Sequence, residues 1–191
     1  YHQPWPFCTL DQARTIVRNA RDAISAARKV WARRVSFFER VMLDVGEADL
    51  EGYLMGGLTN LSDKIYRRTL DTLDENMGNI SAATDDNNVI TKRMLQVHCL
   101  LGLARLSVWR SDPPDAVVTD ELARDALNIL VSLDGRHHDE QSQNSVLMLS
   151  RAYHICISRQ LIADACIRSS RPEDAGSFLL EAVRGKCFCC Q

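Results

Sequence analysis

Two stretches of this chain repeat one pattern, a long segment with helical apolar spacing followed by a short segment with an alanine at a fixed place. Residues 94–109 precede Ala126, and residues 146–167 precede Ala175. A side chain as small as alanine lets the second helix of each pair pack closely against the first. Such pairs cannot bury their apolar faces alone and must stack on neighbours. The pattern predicts an all-α protein built from antiparallel helix pairs, with a compact helical bundle as the alternative.

The composition is that of an ordinary soluble globular protein. The chain has 191 residues, of which 46% are hydrophobic and 25% are charged, which is enough for one domain with a core. We find no alternating β-branched run bounded by turn residues, so we predict no strand. The net charge of -2 gives no overall bias toward nucleic acid. No apolar run approaches the length that spans a bilayer.

We therefore expect residues 1–191 to form a single all-helical domain, with the helix pairs stacked as a TPR-like helical repeat array. The N-terminus has neither an initiator methionine nor a signal-peptide core, so we interpret the chain as a fragment of a longer protein. The expected parts are a basic long helix (1–44), an acidic helical segment (45–88), helix pairs at 89–135 and 139–184, and a Cys-rich tail (185–191).

The apolar spacing also predicts where helices begin and end. One helix is predicted over residues 10–43 and is broken by Asp44-Val45-Gly46, and Thr119 is predicted to cap the fifth helix. Residues at helical spacing are predicted to face inward. They are Ile16, Ala20, Ile24, Ala27, Trp31, Val35, Phe38, Met42, Leu61, Ile65, Leu70 (or Thr69), Leu73, Met77, Leu95, Cys99, Gly102, Leu103, Leu106, Trp109, Val146, Leu149, Tyr153, Ile157, Leu161 and Ala165.

The first predicted helix carries eight basic residues against three acidic ones, and the segment 44–86 carries ten acidic residues against three basic ones. Because the two are adjacent along the chain, we expect them to face each other. A nucleic acid or an acidic partner is the alternative, although the basic face lacks interleaved aromatic residues. The partner-binding candidates on this face are Arg14, Arg18, Arg21 and Arg28.

Seven cysteines without regular spacing do not form a disulfide framework, which favours a reducing compartment. Cys99, Cys156 and Cys166 lie in apolar stripes, where a thiol behaves as a small hydrophobic group. A zinc site would need four ligands. The candidate ligands are Cys187, Cys189, Cys190, His137 and His138. The alternatives for the three cysteines are acylation of the tail and an irregular chain end or part of a following helix.

The last helix should expose apolar surface if further repeats follow it, with Phe178, Leu179 and Phe188 as candidates. No Gly-rich phosphate loop, metalloprotease motif or nucleophile elbow appears, so we predict no enzyme and no cofactor. Other proteins are the expected partners, and the sequence leaves the oligomeric state open. The alternatives are a helical regulatory domain of a transcription factor, a helical bundle with a ligand or metal site, and a self-assembling coat-like protein.

Four stretches of the chain resemble the meiotic TPR-like scaffold proteins of the sporulation/Zip-four/testis-expressed-eleven family. They are residues 65–73, residues 92–96 leading into 100–106, residues 126–130 and residues 146–149. Members of that family are several times longer than this chain. The resemblance implies a nuclear, non-enzymatic scaffold that acts in meiotic crossover formation and chromosome synapsis; without it, the expected location is the cytoplasm.

Overall fold

The computed structural model describes residues 10–31, 36–54, 59–75, 86–110, 114–133 and 145–187. These residues are helical except for caps and turns, and they contain no strand, so the predicted all-α class is confirmed for them. The helices are α1 (Leu10–Trp31), α2 (Phe37–Asp49), α3 (Thr59–Glu75), α4 (Asp86–Arg110), α5 (Ala116–Ser132), α6 (Ser145–Arg168) and α7 (Pro172–Cys187); a π-helical segment, Leu50–Leu54, continues α2.

The chain divides into two compact units, Tyr1–Thr72 and Leu73–Gln191, where the sequence led us to expect a single domain. In the first unit, α1 packs on α2 and on the π-helical segment. The α3 helix is held there by the Ser62 hydroxyl, which donates to the Ala48 carbonyl at 2.7 Å, and by the Tyr66 hydroxyl, which donates to the Asp49 carboxylate.

The second unit is built on consecutive helices that pack in chain order, α4 on α5, α5 on α6 and α6 on α7, with α4 also touching α6. Its core contains small residues at the helix contacts: Ala123 and Ala126 on α5, Ala163 on α6 and Ala175 on α7 are all buried. Leu130 and Ile162 fill the space between them and are fully buried. The small side chains let the helix axes approach closely, as the repeated alanine suggested.

The prediction of one helix over residues 10–43 is wrong, because α1 and α2 are separate helices. Ser36 is extended and caps α2: its Oγ accepts a hydrogen bond from the Glu39 backbone N–H at 3.3 Å, and the Glu39 carboxylate accepts one from the Ser36 N–H at 2.8 Å. This capping box stabilises a helix start. The Ser36 hydroxyl also donates to the Glu39 carboxylate at 2.8 Å. This bond, and after it the one from the Ser36 backbone N–H, lowers the pKa of Glu39.

The inward face predicted for residues 10–43 assumed one continuous helix. Because the structure has two separate helices there, part of that predicted face is wrong. On α1, Val17 is buried at 2% exposure, whereas Ile16 is 58% exposed. Met42, Leu61 and Tyr153 are exposed as well. The other predicted positions that the structure describes are buried or half-buried: Ala20, Ile24, Ala27, Phe38, Ile65, Thr69, Leu70, Leu73, Leu95, Cys99, Gly102, Leu103, Leu106, Ile157, Leu161 and Ala165. The Trp31, Val35, Met77, Trp109, Val146 and Leu149 side chains lie outside the description.

Two predicted helix ends are also wrong. The α2 helix runs through Gly46 without a break. The α5 helix begins at Ala116, one turn before Thr119, because Asp115 is its N-cap and accepts a hydrogen bond from the Val118 N–H at 3.0 Å. Thr119 is buried inside the helix, and its hydroxyl donates to the Asp115 carbonyl at 2.7 Å.

Replacing Gly46 by alanine is expected to raise the free energy of unfolding by about 0.5–1 kcal/mol, since alanine loses less backbone entropy than glycine in a helix. A Cβ at Gly46 would meet no atom within 4 Å, so no clash opposes this gain. Urea denaturation followed by circular dichroism measures it. The converse change at an exposed alanine of α1, Ala26→Gly, should lower stability by a similar amount; a loss of stability in Gly46→Ala would contradict the prediction.

Candidate interaction surface

The α6–α7 turn sets the position of α7. Ser170 adopts a left-handed conformation with φ of 58°. The Ser170 N–H donates to the Ile167 carbonyl at 3.1 Å, and the Arg171 N–H donates to the Cys166 carbonyl at 2.8 Å. These two bonds form a Schellman motif, which closes the last turn of α6. Pro172 then starts α7, a position where its missing N–H costs nothing.

Ser170→Gly is expected to stabilise the second unit by about 1 kcal/mol, because a left-handed conformation is costly for any residue with a Cβ. Ser170→Ala keeps the Cβ and should therefore give no such gain. Thermal and urea unfolding of the two variants decide the point. Equal stabilities of the glycine and alanine variants would show that the left-handed backbone at this turn is not strained.

The α7 helix has one apolar face in the core and a second in solvent. Ala175 and Ala182 are buried. Leu179, Leu180 and Val183 are 43%, 52% and 60% exposed. They continue a line that starts at the exposed Gly176, at spacings of three, four and seven residues that place all four on one helix face. We call Gly176, Leu179, Leu180 and Val183 the α7 line.

The three residues expected to be exposed at the end of the chain are separated by the structure. Leu179 lies in the α7 line. Phe178 instead packs half-buried against the core of the second unit, and the Arg124 guanidinium carbon lies 5.2 Å from the centre of its ring. Such a contact joins α5 to α7 by a cation–π interaction. The expectation that Phe178 is an exposed apolar residue is therefore wrong, and Phe188 lies outside the described residues.

Two of the four basic candidates on α1 pair with acidic residues of the first unit. Arg21 donates from Nε and Nη2 to the two carboxylate oxygens of Glu51. Arg28 donates from Nη2 to Asp44 and to Glu47, each at 2.5 Å. The hydrogen bonds that Arg21 donates to Glu51 raise the pKa of Arg21. These two arginines thus hold α1 against the end of α2 and the π-helical segment.

The other two basic candidates, Arg14 and Arg18, are exposed on α1. Arg14 lies 3.6 Å from Asp11, and both side chains are mostly in solvent. An exposed pair of this kind contributes little to stability. Of the four candidates, Arg14 and Arg18 are left to a partner, because Arg21 and Arg28 are engaged within the unit.

The structure brings no metal site together among the residues it describes, where no group of three or more His, Cys, Asp or Glu side chains could hold an ion. Cys187 lies in the last turn of α7, and its side chain is not among the described ones. The other candidate ligands lie outside the described residues: Cys189, Cys190, His137 and His138. The buried Cys99, Cys156 and Cys166 are thiols that form no disulfide.

A pair of half-buried histidines, which the sequence pattern did not reveal, joins α4 to α6. The His154 Nε2 lies 3.5 Å from the His98 Nδ1, and the two rings meet edge to face. The His154 Nδ1 lies 2.6 Å from the Ser150 carbonyl, so we assign its proton there and make Nε2 the acceptor. Burial lowers the pKa of His154, against the effect of the Ser150 carbonyl. The pair is thus a packed contact between α4 and α6.

Lys92 on α4 is a second feature that the sequence pattern did not reveal. Its side chain is fully buried, and its Nζ has no hydrogen-bond partner within the part of the chain that the structure describes. Burial lowers the pKa of the amine, and the nearby Asp74 carboxylate opposes that effect. A buried amine without a hydrogen bond costs stability when it is charged.

Lys92→Met is expected to stabilise the second unit at neutral pH. The folded chain binds the Lys92 proton less tightly than the unfolded chain, so wild-type stability rises as the pH climbs from the folded pKa to the unfolded value of about 10.4. The advantage of the variant should shrink over that window. Urea denaturation at neutral pH and near pH 10 tests this, with Lys92→Arg as the control that stays charged. A wild type more stable than Lys92→Met at neutral pH would contradict it.

Comparison of the chain with protein-family models, curated proteins and solved structures finds no match. None of the described helices is long and apolar enough to cross a membrane.

Proposed function

We propose that this chain is a non-enzymatic scaffold that binds other proteins, with α4–α7 as a TPR-like stack of two helix pairs. The packing of α4 through α7 in chain order, with α4 also on α6, supports this. So do Ala126 and Ala175, which are buried in one core at matching places in α5 and α7. A helical array exposes the outer face of its end helix, which is where such proteins add neighbours or partners.

The observation that carries the proposal is the α7 line. Leu179, Leu180 and Val183 leave an apolar stripe in solvent on a helix whose other face is already buried. Apolar positions at helical spacing are the anchors by which one helix docks against another protein. On this proposal the α7 line is the surface through which the scaffold engages a protein partner.

The meiotic and nuclear part of the proposal rests on the resemblance of residues 65–73, 92–106, 126–130 and 146–149 to the sporulation/Zip-four/testis-expressed-eleven family. Within it, the scaffold would act in crossover formation and chromosome synapsis. No described group of His, Cys, Asp or Glu side chains could hold a metal ion, so the bundle with a metal site gains no support from these helices.

Capture experiments on immobilised chain test the proposal. The wild type should retain specific proteins from an extract of meiotic cells, and Leu179→Glu/Leu180→Glu should lose them because two buried charges oppose docking. Val117→Glu is the matched control, since Val117 is an exposed apolar residue of α5 outside the α7 line. Retention of no protein by the wild type, or equal retention by the double variant, would overturn the proposal. Equal retention of proteins from extracts of non-meiotic cells would contradict the proposed meiotic role.

A further inference from the structure

We infer that the α7 line binds the α7 line of a second copy of this chain, in an antiparallel pair with two-fold symmetry. The inference rests on the proposed function, because it names the partner of the surface proposed there. Two observations carry it: the spacing of the apolar residues along α7 and the placing of two opposite charges beside them.

The α7 line is complementary to itself in antiparallel register. A two-fold axis between Leu179 and Leu180 places each leucine opposite the other leucine of the second copy, and places Gly176 opposite Val183 of the second copy. All four residues are exposed on one face of α7. Glycine opposite valine lets the helix ends approach, since a small residue faces a larger one at both ends. An interface between like patches of this kind is the isologous contact of two-fold dimers.

The charges beside the line fit the same register. Glu173 in the first turn and Arg184 near the end of α7 are both exposed, and three turns of helix place them on the same flank of the line. An antiparallel pair puts Glu173 of each copy beside Arg184 of the other, so two ion pairs form. A parallel pair would put this flank of the two copies on opposite sides of the interface, so neither ion pair could form. The opposed helix dipoles also favour the antiparallel arrangement.

This self-complementarity favours a second copy over an unrelated partner, because an unrelated surface would have to reproduce both the leucine spacing and the charge order. The patch is small, with three large apolar residues per copy. Interfaces below the usual size are weak and transient, so we expect a dissociation constant on the order of 100 µM.

Sedimentation equilibrium of the full chain, under reducing conditions so that the tail cysteines do not cross-link, tests the pairing. Between about 10 µM and 1 mM, the mean mass of the wild type should rise from that of the chain toward twice that value. The chain mass is 21.5 kDa. Leu180→Glu should stay monomeric over the range, while Val117→Glu on α5 should behave as the wild type. A wild type that is monomeric throughout, or a Leu180→Glu variant that dimerises equally, overturns the inference.

A charge exchange tests the register. Glu173→Lys and Arg184→Glu should each weaken dimerisation roughly five- to tenfold, since each change makes two like-charge contacts. The double variant should recover the wild-type constant to within about twofold, because the ion pairs reform with their signs exchanged. Both changes oppose the α7 dipole, so their effects on helix stability add and cannot mimic this recovery. A double variant at least as weak as the single ones overturns the antiparallel register.

The result also separates this inference from the proposed function. If the wild type is monomeric but still captures another protein in a manner that Leu179→Glu/Leu180→Glu abolishes, the homotypic pairing is overturned and the scaffold function stands. If the wild type is monomeric and captures nothing, both are overturned.

Discussion

Ala126→Leu is expected to lower the free energy of unfolding of the second unit by about 2–3 kcal/mol, because the larger side chain has no room. Ala126 is fully buried, and it shares a core with Ala123 on its own helix, Ala163 on α6 and Ala175 on α7. Three added heavy atoms must displace a neighbouring helix or adopt a strained rotamer. Urea denaturation followed by far-ultraviolet circular dichroism measures the loss.

Two further variants show whether the loss comes from close helix packing. Ala175→Leu should be destabilising as well, since Ala175 occupies the matching place in α7 and is 2% exposed. Asn128→Leu adds a leucine on the exposed side of α5 and should change stability by less than about 0.5 kcal/mol. If Ala126→Leu were as stable as Asn128→Leu, the α5 contact would be loose and the repeated alanine would have no packing role.

The helices of the second unit could be predicted from sequence because their evidence is local. Apolar residues recur at helical spacing along α4, α5 and α6, and Asp-Gly or Pro residues lie near several of their ends. The buried alanines were predictable for the same reason, since a small residue inside an apolar stripe marks a close contact. The apolar spacing of one helix does not predict which other helix it packs against, because that contact joins residues far apart in the sequence.

The wrong helix ends have a common physical cause: several residues can start or end a helix, and only one of them does so. Ser36 and Glu39 formed a readable capping box within a continuous apolar stripe. Gly46 was a plausible stop, but packing of α2 overrides its weak propensity. Asp115 and Thr119 can both cap α5, and the earlier residue does so.

The candidate surface was predictable only in part. Leu179 was among the expected exposed residues, whereas Leu180 and Val183 were not, and Phe178 turned out to pack beneath Arg124. The burial of an α7 residue depends on how the helix is rotated against α6, and periodicity along one helix does not set that angle. The contact between His98 and His154 could not be predicted for the same reason, because it depends on how two helices face each other.

The opposite charges of the first predicted helix and the segment 44–86 led us to expect the two to pair. Arg21 and Glu51 form such a pair. The Glu51 carboxylate is 5% exposed, whereas the Arg21 side chain is 36% exposed. Arg21→Met is therefore expected to cost the first unit roughly 3 kcal/mol, because it leaves a buried carboxylate without its counter-charge. The cost is mainly the desolvation of Glu51, so it exceeds what an exposed ion pair contributes.

The substitution Glu51→Leu tests whether the loss of stability comes from the buried Glu51 carboxylate. Adding Glu51→Leu to Arg21→Met removes the buried charge, so the double variant should recover most of the lost stability, and a double-mutant cycle by urea denaturation gives the coupling between the two residues. Arg14→Met is the matched control: Arg14 faces the exposed Asp11, and its loss should cost less than about 0.5 kcal/mol. A double variant as unstable as Arg21→Met alone would show that Arg21 stabilises the unit through the packing of its side chain on α1, with the Glu51 charge playing no part.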